Sequence, residues 1–215
     1  MTVPAPTPRT TIAEDLRRRI IDGEFAPGSR LSEAAMTAHL DVSRNTVREA
    51  FRLLQAQGLV EHVAHRGVSV VSPTVADVVD IYRARRALEC HVLGHAAPRH
   101  PRVAAMQAAI EQGEAAAAAD DWRVVGTANM AFHESLVALS DSPRLMRSFG
   151  NVLAELRLAF LEIDDSEGLH HPFVGRNRAL LDTLVEQGPA AAATALERYL
   201  VDSERVVLAA LTRRP

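Results

Sequence analysis

The sequence contains no lysine: all 24 basic residues are arginine. That absence excludes Schiff-base catalysis and the lysine of a Walker loop, both of which need a primary amine. Cysteine is nearly absent too. Cys90 alone can neither close an internal disulfide nor supply a thiolate zinc cluster or a CxxC redox pair, so stability has to come from packing. No apolar run approaches the roughly 18 residues of a membrane span, and the opening MTVPAPTPR lacks the basic flank and apolar core of a signal peptide. A cytoplasmic protein with no membrane partner is therefore expected. What remains is ordinary globular composition: 215 residues, 47% hydrophobic and 24% charged, enough for one or two cores.

The net charge is -3. Up to Ser72 there are nine arginines against eight acidic residues, and beyond it fifteen against nineteen. So small an asymmetry does not mark a nucleic-acid surface, and the residue pattern has to decide. Residues 1–10 read as a disordered tail. From Thr11, the apolar positions Ile12, Leu16 and Ile20 recur at i, i+4 and i+8, a helical stripe that stops at Gly23 before the Pro27-Gly28 turn. Ser32 is placed to cap a short helix to Leu40, Asp41-Val42 forms a tight turn, and Ser43 caps a further helix with Val47, Phe51 and Leu54 inward. Gly58 ends that helix. Leu59 to Val63 and Val68 to Val71 then carry β-branched residues on either side of Arg66-Gly67, which suits a hairpin. Residues 11–72 thus predict a helix, a helix-turn-helix at about 33–52 and a β-wing at about 59–71.

After the Ser72-Pro73 break the pattern is helical throughout. Thr74 with Asp77 resembles a capping box, and breaks at Pro98 to Pro101, Asp120-Asp121, Ser142-Pro143, Asp164 to Pro172 and Gly188-Pro189 divide the remainder into about six helices. The alanine runs at 115–119 and 190–193 serve as helix filler. The expected fold is mainly α: a winged helix-turn-helix of three helices plus a small β-hairpin, then an all-α antiparallel bundle over residues 74–212.

In the segment Ser43 to Arg52, burying Val47, Phe51 and Leu54 leaves Arg44, Asn45 and Arg48 outward, the two arginines one turn apart. Such a face can enter a major groove, where arginine bonds bidentately to guanine, while Ser43 and Thr46 at the helix N-terminus can hold phosphate. The competing reading is a solvated face paired with Glu49 and other carboxylates. The whole run PGSRLSEAAMTAHLDVSRNTVREAFRLLQAQGLVEHVAHRGVSV resembles the winged helix-turn-helix of the GntR family of bacterial transcriptional regulators. The resemblance covers residues 11–71 and implies that Arg44 and Arg48 read bases, Ser43 and Thr46 hold the backbone, and Arg66-Gly67 enters the adjacent minor groove. Some relatives carry a further contacting arginine where this chain has Ala34. Arg30 can supply a phosphate contact or be plain surface, and His62 and His65 on the wing read as surface.

In the second segment, polar residues interrupt apolar stripes on four helices: Arg85 among Ile81, Leu88 and Val92; Asn129 and His133 with Leu136; Asn177 with Leu181 and Leu184; Tyr199 and Ser203 with Leu196 and Val206. A buried unpaired arginine or amide costs several kcal/mol, so these groups must converge on each other or on a ligand. Arg85 has Glu89 within reach as an alternative partner. Residues 74–212 are similar to the FCD effector domain that follows the winged helix in the largest GntR subfamily, through Arg85-x-x-Leu88-Glu89, Asn129 to His133, Ser142 to Leu145, Asn177-Arg178-x-x-Leu181 and Tyr199-Leu200. In many such domains one Asp and three His bind a divalent metal that holds a carboxylate ligand. Here those positions are Asn129, His133, Asn177 and Tyr199, and neutral amides and a phenol are poor ligands for a zinc-type ion. No metal or other cofactor is therefore expected. The alternative metal pairs are His91 with His95 and His170 with His171.

The resemblance then implies a homodimer on palindromic operator DNA, most often a repressor, controlled by a small-molecule effector, commonly an organic acid. Arg85, Asn129, His133, Asn177 and Tyr199 would bind that effector. A constitutive regulator with a decayed pocket is the alternative. An enzyme is the poorest fit, since no Ser-His-Asp arrangement, glycine-rich phosphate loop or HExxH occurs.

Overall fold

The stripe Ile12, Leu16 and Ile20 becomes the inner face of helix α1 (Pro8–Ile21), with Leu16 and Ile20 wholly buried. The computed structural model describes residues 8–64 and 67–213. Helix α1 begins three residues before the predicted start, because the fixed φ of proline suits a first helical turn. The expected tail is shortened accordingly, and its residues 1–7 lie outside the described residues.

Two units make up the chain: Met1–Pro73 with Ala154–Glu162, and Thr74–Leu153 with Ile163–Pro215. In the first unit α1 is followed by β1 (Arg30–Leu31), α2 (Glu33–Leu40), α3 (Arg44–Gln55), β2 (Val60–Val63) and β3 (Gly67–Val70). Ser32 caps α2 by accepting from the Ala35 amide at 3.3 Å, and Asp41 turns the chain in the left-handed region at φ 50°. The expected hairpin is two strands of a three-stranded antiparallel sheet in the order β1-β3-β2, with Arg30 opposite Ser69, Leu31 opposite Val68 and Val60 opposite Val70. Two residues are too few for β1 to show an alternating pattern, so only pairing with β3 reveals it.

Leu16, Ile20, Val47, Phe51, Leu54, Leu59 and Val70 form the core of this unit, and Ala154 and Leu158 complete it. Residues 154–162, which lie inside the block 74–212 expected as the helical domain, group with this unit by packing. Each buried leucine contributes about 1.5–3 kcal/mol. Gly58 holds φ 73°, and a Cβ at that residue would stand 2.6 Å from the Glu155 carboxyl carbon. The backbone favours glycine there, whereas the Glu155 carboxyl is the end of a flexible side chain that can shift.

The second unit is all-α, with no strand among its described residues. It contains α4 (Val75–Arg85), a π-helical turn (Arg86–Cys90), α5 (His91–Gly94), α6 (Val103–Ala118), α7 (Trp122–Val137), α8 (Pro143–Leu161, its second half in the first unit), α9 (Ser166–His170), α10 (Val174–Gln187) and α11 (Pro189–Thr212). The capping box at α4 forms as the sequence suggests: Thr74 Oγ1 accepts from the Asp77 amide, and Asp77 accepts from the Thr74 amide at 2.8 Å. The Asp164 to Pro172 stretch, expected as a break, holds the single-turn helix α9, started by Asp165 accepting from the Gly168 amide at 2.7 Å. One turn is too short to register as a periodic stripe. Helix α7 packs on α6, α10 on α6 and α11, and α11 back on α4 and α5.

Candidate functional site

Helix α3 is positioned by its inner face. Val47, Ala50, Phe51 and Leu54 are buried, which turns Arg44, Asn45 and Arg48 to solvent. Ser43 caps the helix, its Oγ accepting from the Thr46 amide at 3.1 Å and lying 2.8 Å from the Thr46 hydroxyl. The exposed start of α3 therefore combines hydroxyls, free amides and the positive end of the helix dipole, a set suited to a phosphate. Arg44 makes no ion pair among the described residues. Arg48 does: its Nε lies 2.9 Å from Glu33 on α2, the arginine being 61% exposed. The pairing with Glu49 considered for these arginines belongs to Arg52 instead, at 2.5 Å.

An ion pair so exposed is worth about 0–1 kcal/mol, so Arg48 can leave Glu33 for a base at little cost. Glu33→Gln is expected to raise operator affinity about two- to fivefold in a fluorescence-anisotropy titration, because it removes both a competitor and a negative charge near DNA. Unchanged or weaker binding by this variant would show that Arg48 does not exchange Glu33 for DNA.

Arg30 is exposed on β1, and its Nε lies 4.0 Å from where a Cβ on Gly67 would stand. It thus sits beside the start of β3, where Gly67 has φ 84°. His62 is exposed on β2. Arg66 and His65, at the expected wing tip, lie outside the described residues.

The polar residues of the helical unit do converge, and they converge on one another. Arg85, His133, Asn177 and Tyr199 are 2%, 1%, 6% and 3% exposed. Arg85 Nε donates to Glu89 at 2.7 Å, and the other Glu89 oxygen lies 2.5 Å from His133 Nδ1. His133 Nε2 lies 3.3 Å from the Tyr199 hydroxyl, which donates to Asn129 at 3.0 Å, and Asn177 donates to the same Asn129 oxygen at 2.7 Å. A second link joins the Tyr82 hydroxyl to Ser203 at 2.7 Å. The Arg85 guanidinium lies 5.1 Å over the Tyr82 ring. Arg85 Nη2 and Asn177 Oδ1 are the network's buried atoms without a partner.

Burial alone raises the Glu89 carboxyl, but Arg85 and then His133 outweigh it and hold it below the usual range. Burial opposes the Arg85 charge, which Glu89 more than restores. For His133 burial dominates over the attraction of Glu89, so its proton is held less tightly than in water. The network therefore contains one positive and one negative charge with a neutral imidazole between Glu89 and Tyr199. Neutral imidazole that donates from Nδ1 to Glu89 has Nε2 as an acceptor.

Glu89 is not among the expected site residues, and it is the partner that Arg85 takes. The cause is the wide i→i+5 turn at Arg86–Cys90, which rotates the chain less per residue than a 3.6-residue helix. It carries Leu88 partly off the buried face and brings Glu89 fully onto it. The close spacing of Arg85 and Glu89 was the one signal available in the sequence. Tyr82, missed as the partner of Ser203, is buried one position beyond the predicted Ile81, and Val207 rather than Val206 continues the α11 stripe inward.

The arrangement does not fit a zinc-type ion. Nδ1 of His133 is taken by Glu89, burial pushes the Tyr199 hydroxyl well above its ordinary range, and Asn129 and Asn177 are amides. Among the described residues no group of three or more His, Cys, Asp and Glu is disposed to hold a metal. The cavity beside Asn129 and Asn177, lined also by Gly113, Val125, His170 and Phe173, has about 10 Å³, room for one water. His170 is buried with its ring against Gly126, whereas the exposed His171 lies against Trp122, so these two histidines do not face a common site. His91 and His95 are exposed, ring centroids 4.5 Å apart, with His95 Nδ1 2.8 Å from the His91 carbonyl. Cys90 is half-buried and its thiol is pushed up to about 11 by burial, which makes it unreactive.

Two family models match the chain. Residues 8–70 match the model described as bacterial regulatory proteins of the gntR family, and residues 80–202 match the FCD domain. A protein of Paenarthrobacter nicotinovorans named "Probable D-xylose utilization operon transcriptional repressor" is 32% identical over 178 residues, covering 77% of this chain and 78% of that one. A Streptomyces ambofaciens regulator of the helix-turn-helix type is 30% identical over 211 residues, covering 90% and 82%. The crystal structure of a GntR regulator from Rhodococcus sp. RHA1 superposes with a TM-score of 0.88 at 40% identity, covering 94% of this chain and 98% of that one. The packed helix-turn-helix, its exposed arginine face and these matches together establish that the chain belongs to the GntR family of bacterial regulatory proteins, as a DNA-binding transcriptional regulator that carries an FCD domain and is not an enzyme.

Proposed function

We propose that the chain acts in the cytoplasm as a homodimeric repressor on a palindromic operator, with an effector in the helical unit setting its affinity for DNA. The observation that carries this reading is the outward set Arg44, Asn45 and Arg48 on a helix whose other face is anchored in the core. Arg44 and Arg48 read base edges, Asn45 contacts a base or the backbone, and Ser43, Thr46 and Arg30 hold phosphates. Arg66 and Gly67 reach the minor groove. One winged helix covers a single half-site, so twofold protein symmetry matches an inverted repeat.

An effector at Arg85, Asn129, His133, Asn177 and Tyr199, a small organic acid by family resemblance, has to replace bonds that these residues now make within the network. Its differential binding to two arrangements would supply a coupling of about 1–3 kcal/mol. The small cavity of about 10 Å³ favours a second reading, a regulator with no internal effector pocket. Selection of binding sites from a random DNA pool by the full chain, together with its mass by analytical ultracentrifugation, tests the proposal. Inverted repeats and a dimer are expected; a monomer, or no enriched sequence, would overturn it.

A further inference from the structure

Helices α10 and α11 flank a groove whose two guanidiniums are used neither by the DNA-reading surface nor by the buried network. Arg176, Leu180 and Thr183 from α10 face Ala195, Arg198 and Tyr199 from α11 around a volume of about 210 Å³. The spacing explains it: residues at i, i+4 and i+7 on α10 meet residues at i, i+3 and i+4 on α11, so each helix presents one stripe. The floor is apolar, with Leu180 buried, and the only charged side chains lining the groove are two guanidiniums.

These arginines differ in availability. Arg176 is held in place, its Nη2 2.9 Å from Asp202 and its guanidinium carbon 5.1 and 5.4 Å from the Tyr199 and Phe173 ring centroids. Asp202 is shared with Arg205 at 3.8 Å. Arg198 is exposed and makes no ion pair among the described residues. The Thr183 hydroxyl donates to the Ala179 carbonyl at 2.7 Å, so the polar donors left for a ligand are the two guanidiniums.

We propose that the groove between α10 and α11 binds a small organic carboxylate, with Arg198 as the anchor, Arg176 as a second and pre-positioned donor, and the Leu180–Ala195 floor under the hydrocarbon body. Guanidinium suits a carboxylate because its fixed fork matches the two oxygens. A volume of about 210 Å³ is on the scale of a small metabolite rather than of a peptide. The site also reaches the buried network: Tyr199 lies under Arg176 while its hydroxyl bonds Asn129. A ligand that draws Arg176 toward itself therefore acts on the packing of a network residue without entering the cavity beside Asn129. This inference rests on the reading that the helical unit takes an effector, and it places that effector outside the network.

The test titrates the full chain with succinate, glutarate, lactate and benzoate by calorimetry, with succinamide and inorganic phosphate as controls. At least one carboxylate is expected to bind, more tightly than either control, with affinity reduced about tenfold in Arg198→Ala and further in the Arg176→Ala/Arg198→Ala double variant. Arg198 is exposed, so the single variant keeps the fold. Binding that survives both substitutions but is lost in Asn129→Ala would put the ligand in the internal network, and would overturn the inference while leaving an effector-controlled regulator intact. Failure of all four carboxylates to bind would overturn it as well. A change in oligomeric mass on Arg198→Ala without any carboxylate binding would assign the groove to contact between copies of the chain instead. Operator binding, measured separately, decides the regulatory reading independently of all these outcomes.

Discussion

Glu89→Ala is expected to destabilise the protein by about 3–5 kcal/mol, the usual cost of removing one member of a buried ion pair and leaving the other charged and alone. Arg85 would then sit 2% exposed with no carboxylate, and His133 would lose the acceptor at 2.5 Å that fixes its tautomer. Chemical denaturation of the purified variant measures the loss. The double variant Arg85→Met/Glu89→Leu is expected to recover much of it, because exchanging a whole buried pair for apolar side chains is often neutral. A Glu89→Ala variant within about 1 kcal/mol of the parent would show that water reaches Arg85 and that the pair is not a buried one.

The same network sets a pH dependence. Burial holds the folded His133 below its ordinary range, so the unfolded chain takes up that proton first, near pH 6.5. Stability is therefore complete above about 6.5 and declines as pH falls below it. Glu89, whose folded pKa is lowered, contributes stability that is present above about pH 4.3 and is lost as pH falls through its folded value. Two successive losses on acidification are expected in a denaturation series. His133→Gln should remove the upper step and keep the lower.

Arg48→Ala is expected to weaken specific operator binding by about 1–3 kcal/mol, roughly five- to 150-fold, and to relax preference at a single base position in each half-site. Non-specific DNA binding should fall far less, because one base-reading arginine is lost rather than a series of phosphate contacts. Arg48 is exposed and its pair with Glu33 is weak, so the fold should be unchanged. Competition titrations with operator and scrambled duplexes separate the two terms. An operator affinity equal to that of the parent protein would mean that α3 does not read the major groove.

The helix-turn-helix was legible because its signals are local. Ser32 and Ser43 are caps, Asp41 and Gly58 take the left-handed conformation that ends a helix, and Val47, Phe51 and Leu54 repeat at helical spacing. Each depends on neighbours a few residues away, which the sequence displays directly. Strand β1 was not legible, since Arg30 and Leu31 become a strand only by pairing with Ser69 and Val68. In the helical unit the sequence marked Arg85, His133, Asn177, Tyr199 and Ser203 as inward polar residues, all of them buried, and left open whether a ligand or one another would satisfy them.

What answered that question was distance in space between residues far apart in the chain. His133 meets Glu89 across 44 positions, Asn177 meets Asn129 across 48 and Tyr199 meets His133 across 66. The sequence by itself determined the family, helix α3 with its exposed arginines, its cap and the polar identity of the interior. Only the tertiary structure decided that Glu89 replaces Leu88 on the inner face, that Arg48 rests on Glu33, that the end of α8 completes the first core, and that the interior polar groups bond each other. Periodicity records which side of a helix is inward, but hydrogen-bond partners and the space left between them are set by how the helices pack.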